Sequence, residues 1–126
     1  MAYEINWEER GYCCRMHGSV SVAEVVKSIE DETTDPRYSS ADFRITDLLA
    51  ITDHTVTLSD AVGLATIDSA RKKMNPNLLD AIVVSDPFVT KIAQLYKATS
   101  DRSELIGIFK SVEEARSWLD KLLLAR

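Results

Sequence analysis

The chain is short of the residues that most often announce a chemistry. Its 126 residues include two cysteines, two histidines, three prolines and four glycines. The cysteines, Cys13 and Cys14, are adjacent. Successive strand side chains point to opposite faces, so a structural disulfide between them is not expected. A zinc site needs paired ligand clusters, and no second Cys or His group accompanies this pair. No glycine-rich phosphate loop is present. No apolar run approaches the ~20 residues needed to cross a bilayer, and the opening "MAYEINWEERG" is too polar for a secretory leader. These absences predict a cytoplasmic protein with reduced packing cysteines, no cofactor, no metal and no transmembrane segment. Positive charge is also scarce. The 15 Lys and Arg are outnumbered by 20 Asp and Glu, for a formal charge of −5, which disfavours nucleic acid as a partner. The one basic run, Arg71-Lys72-Lys73, falls where a helix ends, and cations there complement the helix dipole.

What is present is an ordinary globular composition, 45% hydrophobic and 28% charged, in a length that suits one domain. No repeat or linker interrupts residues 1–126, so a single domain is expected. Tyr3, Ile5 and Trp7 alternate with polar residues, as do Tyr12, Cys14 and Met16 after the turn-like Glu9-Arg10-Gly11. This is the pattern of an antiparallel hairpin, and it sends His17 toward solvent. Ser21 and Glu24 have the spacing of a capping box before a Val22, Val25, Val26, Ile29 helix stripe. A third strand is expected from Phe43 to about Asp47, followed by a loop over "TDHTVT". Ala61, Leu64, Ile67, Ala70 and Met74 share the face of a second helix that Asn75-Pro76 stops. The apolar run Ala81–Val84 has the signature of a buried parallel strand. Asp86 and Pro87 then begin a helix whose inner side is expected to carry Phe88, Ile92, Leu95 and Tyr96. A fifth strand over Leu105–Phe109 and a last helix, opened by a Ser111–Glu114 capping box, complete the order ββαβαβαβα. Alternating strands and amphipathic helices predict an α/β domain. It has a mostly parallel five-stranded sheet, an N-terminal antiparallel hairpin and four helices.

Three segments resemble the SpoIIAA-like, or STAS, family at the residue level. "FRITDLLAIT" is similar to the family strand ending in Asp-Leu-Ser-Gly-Val-Thr, with Asp47, Leu48, Ile51 and Thr52 matching. "LSDAVGLATI" resembles the Asp-Ser-Ser-Gly-Leu helix start, with Asp60, Gly63 and Leu64 matching. "MNPNLLDAIVVSDPFVTKIAQLYKA" and "GIFKSVEEARSWL" resemble the bacterial branch grouped with STAS/SEC14-type proteins. The resemblance implies a SpoIIAA-like fold and a role like that of anti-sigma-factor antagonists. In those proteins the second Ser of the motif accepts a phosphate. Here that position is Val62, and the preceding Ser is Ala61, so the phosphoswitch does not transfer.

Three functions follow as expectations. The first is a non-enzymatic regulatory or protein-interaction domain with an unidentified protein partner. Its surface would lie over Thr52–Ile67, with Asp53, His54, Thr57, Ser59, Asp60 and Gly63 as interaction or switch candidates. Ser59 is the nearest hydroxyl to the lost phosphoacceptor, and its plainer role is a helix cap. The second is a carrier of a small apolar or lipid-like ligand, implied by the SEC14 side of the resemblance. Its pocket candidates are Leu58, Leu64, Phe88, Ile92, Tyr96 and Trp118, with Arg71 as an anion anchor. Arg71 has the alternative of laying its stem on the surface. The third is a metal-dependent or enzymatic site from Asp47, Asp86 and Asp53-His54 at the strand ends. No paired nucleophile and base accompanies those groups. Self-association as a homodimer is also expected, through the first strand with Tyr3 and Trp7 or through the leucines Leu122–Leu124.

Overall fold

The computed structural model describes residues 2–126. Strands β1 (Tyr3–Trp7) and β2 (Gly11–Val20) pair antiparallel, with Tyr3 opposite Met16 and Trp7 opposite Tyr12. Helix α1 (Val22–Thr34) and a 3-10 turn (Pro36–Ser40) lead to β3 (Phe43–His54). Then come α2 (Leu58–Lys72), β4 (Leu79–Val83), α3 (Pro87–Thr99), a second 3-10 turn (Ser103–Leu105), β5 (Ile106–Phe109) and α4 (Val112–Leu124). The expected order ββαβαβαβα is therefore the observed one. The sheet order is β1-β2-β3-β4-β5, parallel from β2 onward. Each parallel step moves the same way across the sheet. Right-handed crossovers therefore stack α1, α2 and α3 on one face and leave the other to α4.

The period of two along the strands splits the core accordingly. Phe43, Ile45, Leu79, Ala81 and Val83 face α4 and pack on Ala115 and Leu119. Ile82, Val84 and Ile106 face the three-helix side and meet Val89 and Ala93 of α3. Gly11 must be glycine, because a Cβ there would sit 2.4 Å from the Phe43 carbonyl oxygen. Gly18, at φ 69°, takes the left-handed conformation where the β2–β3 register slips.

Helix starts follow the capping chemistry. Ser21 Oγ accepts from the Glu24 amide at 3.3 Å, and the Glu24 carboxylate accepts from the Ser21 amide at 3.1 Å. Asp86 accepts from the Phe88 and Val89 amides, each at 3.0 Å, with Pro87 in the first turn. At α4 the Ser111 hydroxyl accepts from the Glu114 amide at 3.1 Å, and this forward half of the expected box is the one that forms.

Several expectations need correction. Strand β3 does not stop near Asp47. It continues to His54, because its second half pairs with the bulged end of β2 after β4 has ended at Val83. Asp53 and His54 are therefore strand residues, and only Thr55–Thr57 form the loop. Helix α2 begins at Leu58, and its cap is Thr57 rather than Ser59. Thr57 Oγ1 accepts from the Asp60 amide at 3.2 Å, and the Asp60 carboxylate accepts from the Thr57 amide at 2.8 Å. Ser59 lies exposed within the first turn. The buried stripe of α2 is Ala61, Leu64, Ala65, Asp68 and Lys72, leaving Ala70 and Met74 in water. Lys72, read only as a cation at the helix end, is 4% exposed. On α3 the buried residues are Val89 and Ala93, while Phe88 is exposed. His17, expected to face solvent, is half-buried. Strand β1 is an edge strand as expected, but Tyr3 is buried and its hydroxyl donates to Asp31 of α1.

Candidate functional site

The C-terminal ends of β3 and β4 open onto a groove. Leu48, Leu49, Ile51 and His54 of β3 form one wall, and Ser85, Asp86, Phe88 and Val89 form the other. The His54 ring stacks on Phe88, with centroids 5.4 Å apart and planes 18° from parallel. Six large apolar side chains are exposed among the described residues, and four of them belong to this end of the molecule. Leu49 and Phe88 line the groove, and Leu58 and Val62 occupy the first turns of α2. Asp53, Asp60 and Asp86 lie among them, two of them already engaged as helix-end acceptors.

Next to the groove, between the sheet and α1–α3, lies a partly open cavity of about 120 Å³. Its wall runs the length of β3, from Arg44 through Thr46, Leu48 and Ile51 to His54. Cys14, Met16 and Val20 of β2 extend the same wall, and Leu64, Ile92 and Tyr96 close it from the helices. Leu48, Ile51, His54 and Val89 line both cavity and groove. The lining is almost wholly apolar, with two exceptions of note. Arg44 Nε and His54 Nδ1 are buried without a hydrogen-bond partner. A buried polar atom without a partner is costly.

At the far end of the cavity sits a buried charge cluster. Register places Arg44 of β3 beside Asp80 of β4 on the three-helix face. Arg44 Nη1 donates to Glu32 of α1 at 3.2 Å and to Asp68 of α2 at 3.0 Å, while Nη2 reaches Asp80. Lys72 Nζ lies 2.9 Å from Asp68 and 3.3 Å from Asp80. The Tyr12 hydroxyl donates to Glu32 Oε1 at 2.6 Å, and the Tyr96 hydroxyl donates to Asp68. Burial alone would raise the Asp80 carboxyl, but Arg44 and Lys72 outweigh it and hold it at about 2. Asp68 is likewise lowered by the same two cations against its burial. Glu32 goes the other way: burial pushes it up more than Arg44 and Tyr12 pull it down. Two cations and three carboxylates thus tie α1 and α2 to β3 and β4, and the Tyr96 hydroxyl adds α3. The desolvation of its five charges offsets much of what their attraction contributes to stability.

The structure brings part of the expected sites together. Asp53 and His54 share the groove with Phe88. Thr57 and Asp60 cap α2, and Gly63 is exposed within that helix, where an added Cβ meets nothing within 4 Å. Of the ligand-pocket candidates, Leu64, Ile92 and Tyr96 line the cavity. Leu58 points to solvent at 42% exposure. Arg71 sits outside the cavity, its Nη1 3.4 Å from Thr33 Oγ1. Trp118 cannot join them, because it belongs to α4 on the opposite face and packs on Phe109 at 5.3 Å. Among the described residues, no three His, Cys, Asp or Glu side chains come together in a way that would hold a metal. Asp47 spends Oδ1 on the Leu49 amide at 3.0 Å. The sequence reading did not group Arg44, Glu32, Asp68 and Asp80 as a cluster, and it assigned Lys72 only to the helix end. The available signal was their position: each is a charged residue set inside an otherwise apolar run or stripe.

No family model and no curated protein sequence matches the chain. Solved structures do. The anti-sigma factor antagonist SpoIIAA in its unphosphorylated form superposes with a TM-score of 0.64 at 14% identity, over 96% of this chain and 97% of that one. A putative anti-sigma factor antagonist from Thermotoga maritima gives 0.61 at 12% identity, over 94% of each chain. An uncharacterised protein of the DUF3478 family from Shewanella loihica PV-4, with a SpoIIAA-like fold, gives 0.56 at 11% identity, over 94% and 92%. Among the described residues no helix is long and apolar enough to cross a membrane. The element order, the mixed sheet with its antiparallel first pair and these near full-length superpositions together establish that the chain has the SpoIIAA-like, STAS-type fold.

Proposed function

We propose that this protein is a non-enzymatic regulatory domain that works by binding another protein at the end of the sheet where β3, α2 and α3 begin or finish. The observation that carries this reading is the groove at that end lined by Leu49 and Phe88, with Leu58 and Val62 in the first turns of α2, each of the four more than 40% exposed. Scattered exposed leucines need no explanation, but large apolar side chains collected on one surface mark an interaction site. The rim of Asp53, Asp60 and Asp86 favours a partner that combines apolar and basic groups. The fold shared with anti-sigma factor antagonists supports the same reading.

The docking does not run through the phosphoserine of that motif. Val62 occupies the matching position, 44% exposed and chemically inert to kinases. Apolar contact replaces a charge switch there. A photo-crosslinking amino acid placed at position 62 in the native cell is expected to capture a discrete protein adduct. The same residue at position 74, where Met74 is 53% exposed beyond the C-terminal end of α2, is expected to capture none. Equal labelling from both positions, or none from position 62, would count against the proposal.

A further inference from the structure

We propose that the free edge of β1 is the interface of a homodimer, in which two copies pair β1 antiparallel about a two-fold axis at Ile5 and join their sheets. This surface is separate from the docking groove, and the proposal goes beyond that reading. Three observations carry it.

The first is the direction of the backbone groups. Strand β1 is the outer strand of the sheet, and β2 is its only strand partner among the described residues. The His17 amide donates to the Ala2 carbonyl at 2.9 Å, and the Glu8 amide donates to the Gly11 carbonyl at 2.7 Å. Bonding direction alternates along an antiparallel pair, so Ala2, Glu4, Asn6 and Glu8 turn their backbone groups toward β2. Tyr3, Ile5 and Trp7 turn theirs outward. Among the described residues no turn or loop backbone takes them up.

The second is the lack of edge protection. Sheets blunt an edge with lysine, proline, a bulge or a very short strand. Strand β1 reads Tyr-Glu-Ile-Asn-Trp, and its register with β2 is unbroken from Tyr3 to Trp7. Its one charge, Glu4, faces Arg15 of β2 at 3.5 Å. The opposite edge, β5, is blunted by its length, since it has four residues and Lys110 follows it.

The third is the fit of the strand to itself. An axis at Ile5 sets Ile5 opposite the partner's Ile5 and Tyr3 opposite the partner's Trp7. All three outward residues then exchange bonds with the second copy, about six in all. Half-buried Ile5 and Trp7 gain apolar and aromatic neighbours on the three-helix face. Asn6 lies opposite Cys13, which packs on the α4 core, so Glu4 and Asn6 share the α4 face. Both are exposed, and across the axis each meets the other, a carboxylate against an amide. Moving the axis by one residue sets Glu4 against the partner's Glu4 or against the partner's Glu8. Like charges directly opposite are destabilising, so charge selects the register at Ile5.

The test is sedimentation equilibrium of the full chain between about 10 and 500 µM, a range suited to a narrow contact. The wild type is expected to show a reversible monomer–dimer equilibrium. Asn6→Glu faces the partner's Glu4 twice in each dimer and should weaken association at least about fivefold. Asn6→Lys sets opposite charges at the same places and should tighten it. Asn6 is exposed, so both variants are expected to keep the wild-type circular dichroism spectrum. Ile5→Pro removes an outward amide donor, which an edge strand tolerates, and should abolish the dimer. Amide exchange at Ile5 in the wild type should slow as chain concentration rises. The proposal is overturned by a chain that stays monomeric throughout, or by equal association of the wild type and both Asn6 variants. It is equally overturned by a dimer that Leu124→Asp breaks and Asn6→Glu does not, which would place the contact on α4. Crosslinking at position 62 reads another surface, so either proposal can fail without the other.

Discussion

Replacing Arg44 with methionine removes the centre of the buried cluster at nearly constant volume. The guanidinium faces Glu32, Asp68 and Asp80, each within the ion-pair range and all buried. Without it those three carboxylates face Lys72 alone. Removing one partner of a buried pair costs about 3–5 kcal/mol, because the orphaned charge remains in a dry place. That is a large share of the roughly 5–15 kcal/mol that holds a domain together, and it lowers Tm by roughly 10–20 °C. The pH dependence identifies the cause. Asp80 has its carboxyl lowered from 3.8 to about 2, so its share of the stability is fully present above 3.8 and is lost as pH falls toward 2. That share is roughly 2 kcal/mol. Arg44→Met loses the depression, so the gap between the two proteins should be widest near neutral pH and narrow between pH 4 and 2. Glu32, with its raised carboxyl, acts in the opposite sense in the wild type, adding stability as it becomes protonated. Urea denaturation of both proteins across pH 2–7 measures the gap directly. A gap below about 1 kcal/mol at pH 7 would refute the reasoning, as would a gap that does not change with pH.

Three further outcomes follow from local geometry. Thr57→Ala should cost about 1 kcal/mol in urea melts because it breaks the α2 cap, while Ser59→Ala should change stability by less than about 0.5 kcal/mol. Gly63→Ala should raise stability by about 1 kcal/mol in a thermal melt, since the added methyl meets open space inside a helix. The thiols should resist alkylation in the folded protein. Burial pushes Cys13 up to about 11, with Asp47 adding to it, and raises Cys14 further. Mass spectrometry after iodoacetamide at pH 8 should find both reduced thiols unmodified until denaturant is added.

The element order was legible because each helix and strand carries its own period in a continuous run of residues. Strand β3 was read too short because Thr52 and Asp53 are exposed. They extend past the end of β4, where Asp53 pairs only with Ser19 of β2 and Thr52 falls at the register shift, so they lack the apolar alternation that marks a covered strand. The α2 cap was assigned to Ser59 because two hydroxyls stand two residues apart. What selects Thr57 is Asp60 three residues on, closing a capping box with a shorter acid than the usual Glu. The charge cluster was invisible for a different reason. Its charged members come from four elements, and a charged residue is normally read as solvated. Yet Asp80 stands between Leu79 and Ala81, Arg44 between Phe43 and Ile45, and Glu32 one turn beyond Ile29. Charges embedded in apolar runs have to find partners, and here they find one another. Half-exposed Leu58 and Phe88 were taken for pocket walls because helical spacing shows which residues share a face but not how far that face is covered.

The interaction surface is the centre of this account, and a binding titration tests it most directly. With the partner captured through position 62 in hand, isothermal titration should be run on the wild type, Val62→Asp and Met74→Asp. Val62→Asp puts a desolvated carboxylate into an apolar contact and should weaken binding at least about tenfold. Met74→Asp should bind as the wild type does. Equal affinity for all three proteins would show that the partner docks elsewhere and would contradict the proposed function.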